Sequence, residues 1–97
     1  MRIFAALIAL AACGAPGSHT VAIRDFAYQP PVLSVAPGDT VTWTNADIVP
    51  HTVTFADASG PDHVDAGDTW QRVVTAGDTL RYWCRYHPAM TGVLVVD

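Results

Sequence analysis

Ninety-seven residues are enough for one small domain at most. Nine acidic residues, all Asp, oppose five Arg, with no Lys or Glu, for a net charge of −4. Such a surface excludes nucleic acid as a partner, since phosphate binding needs a basic patch.

The chain opens with "MRIFAALIALAAC", in which a single positive charge at Arg2 precedes an apolar run from Ile3 to Ala12. That is the pattern of a secretory signal, and the run is too short for a ~20-residue membrane span. Leu10-Ala11-Ala12-Cys13 resembles the lipobox of bacterial lipoproteins, in which cleavage precedes the Cys and that Cys takes the lipid. The organisation expected is therefore a signal peptide over 1–12, a lipid-anchored tether over 13–19 with Cys13 as the lipidation site, and a folded domain over 20–97. The location would be outside the cytoplasm, periplasmic and lipid-anchored to a membrane. An ordinary cleaved signal with a Cys near its end is the alternative. Loss of Arg2 leaves four Arg against nine Asp, a net charge of −5.

The remainder reads as strands throughout. "TVAIRDF" (20–26) and "VLSV" (32–35) are β-branched runs, and Pro30-Pro31 between them excludes a helix. "TVTWTN" (40–45) alternates, with Val41 and Trp43 on one face and Thr40, Thr42 and Thr44 on the other. "HTVTFAD" (51–57), "TWQRVVT" (69–75), "TLRYWC" (79–84) and "TGVLVVD" (91–97) complete the set. Three strands follow the same punctuation, at Gly38-Asp39-Thr40, Gly67-Asp68-Thr69 and Gly77-Asp78-Thr79. Their uneven spacing marks turns and not a repeat architecture. Seven to eight short strands without helical periodicity predict an all-β, two-sheet Greek-key sandwich. The longest irregular stretch, "ADASGPDHVDAGD" (56–68), carries four Asp and His63 and reads as a solvated acidic loop. A second metal site of His63 with Asp62 or Asp65 is the alternative there.

The chemistry concentrates in "YWCRYHPAMTGVLVV" (82–96). If Cys13 carries lipid and Met1 leaves with the signal, Cys84 and Met90 are the only sulfurs left. No intramolecular disulfide is then possible, in a compartment where disulfides persist. Each residue alone has an ordinary explanation, but the only Cys and the only Met share one seven-residue loop with His87. Thiolate, imidazole and thioether form a soft donor set. Zinc sites rarely use Met, whereas copper accepts all three. Two His and one Cys around a long axial Met is the blue-copper electron-transfer arrangement. A second His must come from elsewhere, among His19, His51 and His63. His51 follows Pro50 and opens a strand, so sheet pairing would hold it in place, and it is the choice.

These stretches resemble those of the cupredoxins, the type 1 blue copper proteins, and among them the amicyanins. Trp43-x-Asn45 followed by Pro50-His51-x-Val53-x-Phe55 looks like the segment carrying the first His ligand. Tyr82-x-Cys84-x-x-His87-Pro88-x-Met90-x-Gly92 looks like the segment carrying the other three, with the two-residue His–Met gap of the short amicyanin loop. The resemblance covers about Val21 to Val96. It implies one copper ion on His51, Cys84, His87 and Met90. It also implies that Asn45 ties the two ligand loops together, and since Arg85 offers only donors, a bond between them would run through the Asn45 amide oxygen. The function expected is a carrier of single electrons and not an enzyme. Its partners would be redox proteins (a cytochrome, a dehydrogenase or an oxidase), met by a monomer through Pro50, Pro88 and Ala89. A periplasmic copper-handling protein using the same donors is the alternative.

Overall fold

Alternation decides where each strand turns its side chains, and the buried positions follow it. A computed structural model describes residues 15–75, 77 and 79–97. The expected signal peptide, the Cys13 lipidation site and Asp78 lie outside the described residues. Eight strands form: β1 (Ser18–Arg24), β2 (Ala27–Gln29), β3 (Val32–Val35), β4 (Thr40–Asn45), β5 (Thr54–Phe55), β6 (Thr69–Val73), β7 (Leu80–Cys84) and β8 (His87–Val96). They make two four-stranded sheets, ordered β2-β1-β4-β6 and β3-β8-β7-β5. The chain changes sheet at every connection from β2 to β7, and the result is the all-β, two-sheet sandwich expected. β1 runs parallel to β4, and β3 parallel to β8; the remaining pairs are antiparallel.

The core lies between the sheets. β4 buries Val41, Trp43 and Asn45 and leaves its three Thr partly exposed. β1 contributes Val21 and Ile23, β7 Tyr82 and Cys84, and β8 Met90 and Leu94. Trp43 sits centrally, edge-on to Phe55 and Tyr82 and against Trp70. Such aromatic pairs add to the area term of burial. Gly92 falls mid-strand because a Cβ there would run into the Tyr82 ring.

Several boundaries differ from the sequence expectation, each for a physical reason. β2 was not expected, since three residues before Pro30 carry no periodicity. It forms because Asp25 and Phe26 both take positive φ (54° and 57°) and make a two-residue hairpin turn. The stretch from Cys84 to Met90, expected as a loop, is mostly strand. A two-residue turn, Arg85-Tyr86, closes a hairpin that pairs Cys84 with His87, with a bulge at Trp83/Cys84. β5 is shorter than 51–57, and His51 instead makes an isolated bridge to Val64. At the other end, β1 begins at Ser18, inside the stretch expected as tether.

Asp39 explains that early start. Its carboxylate accepts the Gly17 amide at 2.6 Å and the Ala36 amide at 3.0 Å, and it meets His19 Nε2 at 2.8 Å. Chiefly the Ala36 amide, then the Gly17 amide and His19, hold the Asp39 carboxyl down at about 2. A carboxyl depressed on folding stabilises the folded state above its unfolded value, ~3.9, and that contribution is lost as pH falls through the folded value. Thermal unfolding of the wild type should therefore lose stability between about pH 4 and pH 2. Asp39→Asn, less stable at pH 7, should show a shallower decline across that window in the same melts.

Candidate metal centre

Asn45, the last residue of β4, is fully buried and directs the segment that follows it. Its Nδ2 donates to the carbonyls of Val49 (2.8 Å) and Val64 (2.9 Å), and its Oδ1 accepts the Asp47 amide at 2.9 Å. The segment thus delivers His51 to a position where it exchanges both backbone bonds with Val64, at 3.1 and 2.7 Å. The His51 ring has no exposure. Its Nε2 meets Asp47 Oδ2 at 2.8 Å, and its Nδ1 faces Cys84 Sγ at 3.6 Å. Burial works against ionisation of Asp47, but the amides of Phe26 and Asp25 and the His51 ring outweigh it and hold that carboxyl below the ordinary range.

Cys84 ends β7, a free and fully buried thiol. The Thr52 amide points at its sulfur, 3.4 Å away, and Thr52 Oγ1 accepts the Arg85 amide at 2.7 Å. His87 opens β8 across the tight turn and places its Nδ1 3.8 Å from the same sulfur. One ligand atom each from His51, Cys84 and His87 lie within 4.8 Å of one another. Metal–donor bonds of about 2.0–2.3 Å put such atoms about 3.5–3.7 Å apart, so the sulfur-to-nitrogen spacings of 3.6 and 3.8 Å would suit donors that share one ion. Two neutral imidazoles and one thiolate are also the donors that copper favours. Met90 is buried on β8, three residues beyond His87. The Tyr28 hydroxyl donates to the Thr52 carbonyl at 2.5 Å; burial first, then the neighbouring Cys84 and Tyr82, push that hydroxyl well above its usual range.

The other histidines are elsewhere. His19 is bound to Asp39 at the far end of β1, and His63 is half-exposed, 3.5 Å from Asp65. Among the described residues, no second group of three or more His, Cys or Asp gathers around a common point. Pro50, Pro88 and Ala89 are exposed, as are Ile48, Phe26 and Tyr86. The Asn45 amide oxygen goes to Asp47 and not to the Cys84 hairpin, because the Arg85 amide is taken by Thr52. Sequence reasoning missed Thr52, Asp47 and Phe26. Only the closeness of Asp47 and Thr52 to His51 in the chain could have pointed to them, and nothing local marks Phe26.

A family model for copper binding proteins of the plastocyanin/azurin family matches residues 15–97. The chain belongs to that family. As a cupredoxin it is 36% identical over 90 residues to amicyanin of Paracoccus denitrificans, covering 86% of this chain and 68% of the relative. With amicyanin-alpha of Methylorubrum extorquens it shares 34% over 87 residues, 84% of this chain and 73% of that one. The fold superimposes on the oxidised state of an amicyanin variant with a TM-score of 0.79 at 33% identity, covering 84% of this chain and 83% of that one. The cofactor of this cupredoxin is copper, and His51, Cys84 and His87 are positioned as its donors.

Thr52→Val keeps the shape of the side chain and removes the acceptor for the Arg85 amide. An amide left unpaired in a partly buried site costs about 1–3 kcal/mol. Denaturant unfolding of the metal-free protein should report a loss of that order, with an unchanged m-value.

Proposed function

We propose that the protein carries single electrons through one type 1 copper ion, which His51, Cys84 and His87 would hold with Met90 as a fourth, weaker donor. The observation that supports this most is the convergence of both Nδ1 atoms on one buried thiol, already arranged by protein hydrogen bonds. When bound, copper supplies a one-electron Cu(I)/Cu(II) couple. The chain supplies the rest. Three donors with Met90 complete a coordination sphere, so no open position remains for a substrate, as a catalytic metal would need. Donors pinned by Thr52 and Asp47 move little when the charge changes, which favours fast exchange. His87 reaches the surface between exposed Tyr86 and Pro88 and gives the electron its exit.

Partners are then redox proteins that dock transiently on the apolar rim of Pro50, Pro88 and Ala89, through an interface below ~1,200 Å². A copper-handling role is weaker, because passing a metal on needs accessible donors and His51 and Cys84 have no exposure. The leader pattern of residues 1–12 and the Cys13 that follows it support a carrier that works outside the cytoplasm on a lipid anchor, with residues 1–12 removed.

Replacing Cys84 by Ser should abolish the intense red-region absorption of the copper-loaded protein; a Cys84→Ser protein that stays blue contradicts the assignment. Met90→Gln should keep the colour and lower the reduction potential, read by voltammetry.

Cys13→Ala should block lipidation and leave the copper spectrum of the domain intact. Mass spectrometry of membrane-fraction protein checks this: wild type recovered with an unmodified thiol at Cys13 would remove the anchor from the account.

Ala89→Asp should slow electron exchange with the partner at unchanged spectrum, as measured by stopped-flow. Equal rates would move docking to another face.

A further inference from the structure

Asp47 is a carboxylate in direct contact with one of the candidate donors, His51, and its three bonds join parts of the chain that share no local pattern. Oδ1 accepts the Asp25 amide at 2.8 Å, while Oδ2 accepts the Phe26 amide at 3.0 Å and meets His51 Nε2 at 2.8 Å. We propose that Asp47 is a positioning residue of the metal centre, one carboxylate setting both the ring of His51 and the aromatic wall beside the two imidazoles. The inference rests on the copper reading above and adds to it the group that prepares the site before metal arrives.

The first half follows from donor counting. An ionised carboxylate only accepts, so the proton shared with Asp47 belongs to Nε2. His51 then presents the unprotonated Nδ1 to the point where Cys84 Sγ and His87 Nδ1 converge. A carboxylate on the far nitrogen also makes an imidazole a stronger donor. Asp47 is itself anchored, because its amide is held by Asn45 Oδ1 and its side chain is only 12% exposed.

The second half follows from the turn. Asp25 and Phe26 are consecutive non-glycine residues at positive φ, a conformation unfavourable for a side chain as bulky as Phe. Their two amides end on the same carboxylate, which holds the turn in that conformation. The Phe26 ring then stands edge-on to His51 at 5.1 Å and to His87 at 4.8 Å, with interplanar angles of 89° and 88°. Half of Phe26 is exposed, so the ring lies between the imidazoles and solvent. Loss of the carboxylate would release the wall and the ring of His51 together.

Asp47→Asn tests this, since it keeps the size and one acceptor oxygen but removes the charge. Titrated with Cu(II), the variant should bind about 10–100-fold more weakly than wild type. Its reduction potential should rise, because the lost negative charge favoured Cu(II). Wild-type affinity and potential in a variant altered only in melting temperature would reduce Asp47 to a structural residue and overturn the proposal. If Asp47→Asn does not fold, the wild-type metal-free protein decides by nitrogen-15 NMR of its histidines, which needs no copper and so separates this inference from the copper reading. His51 should show a slowly exchanging proton on Nε2 and none on Nδ1, with exposed His63 as the fast-exchanging control. A His51 ring protonated on Nδ1, or exchanging as fast as His63, would overturn the proposal.

Discussion

Thr52 holds the candidate centre together through all three of its polar groups. Its amide points at Cys84 Sγ, its hydroxyl accepts the Arg85 amide, and its carbonyl accepts the Tyr28 hydroxyl. These bonds tie the residue after His51 to the β7–β8 hairpin of one sheet and to β2 of the other. Every bond is buried or partly so, and leaving one unmade costs the desolvation of the group that loses its partner. The convergence of His51, Cys84 and His87 is therefore held by the sandwich closing around Thr52, and each of those bonds steadies that end.

The architecture then divides the work between its two ends. At one end β1 turns into β2, β4 runs out at Asn45, and β7 turns into β8, so three chain reversals meet around the thiol. At the other, Asp39 gathers Gly17, Ala36 and His19 and starts β1. Between them the cluster of Trp43, Phe55, Trp70 and Tyr82 keeps the sheets in register. A donor set fixed in this way suits a metal that must change charge without changing its neighbours, while Ile48, Tyr86 and Pro88 stand exposed at the same end.

Much of this was legible in the chain because it is periodic or local. The alternation of β4 marks Val41 and Trp43 as core, and the spacing of Cys84, His87 and Met90 marks one cluster of soft donors. His51 could be preferred over His19 and His63 because it follows Pro50 at the head of an expected strand. The structure gives it an isolated bridge to Val64 in place of a strand, and sheet-type pairing holds it all the same. The rest is made by contacts across 21 to 33 residues, which leave no periodic trace: Asp47 to the Asp25-Phe26 turn, Thr52 to Cys84 and Arg85. The tight hairpin was hidden for a related reason. Arg85-Tyr86 lacks the Gly or Asn of common two-residue turns, so the segment reads as a loop until its pairing with β8 is seen. Asn45 was expected to tie the two ligand loops together; it is buried, but its bonds go to Val49, Val64 and Asp47, a choice only the three-dimensional arrangement settles.

X-ray absorption at the copper edge of the loaded wild-type protein, recorded oxidised and reduced, tests the central claim most directly. A thiolate and two imidazoles held by one rigid end of the sandwich should give one short copper–sulfur shell and two nitrogens in the oxidised state, with the sulfur retained at nearly the same distance on reduction. A spectrum with only nitrogen and oxygen neighbours, or a sulfur lost on reduction, would contradict it.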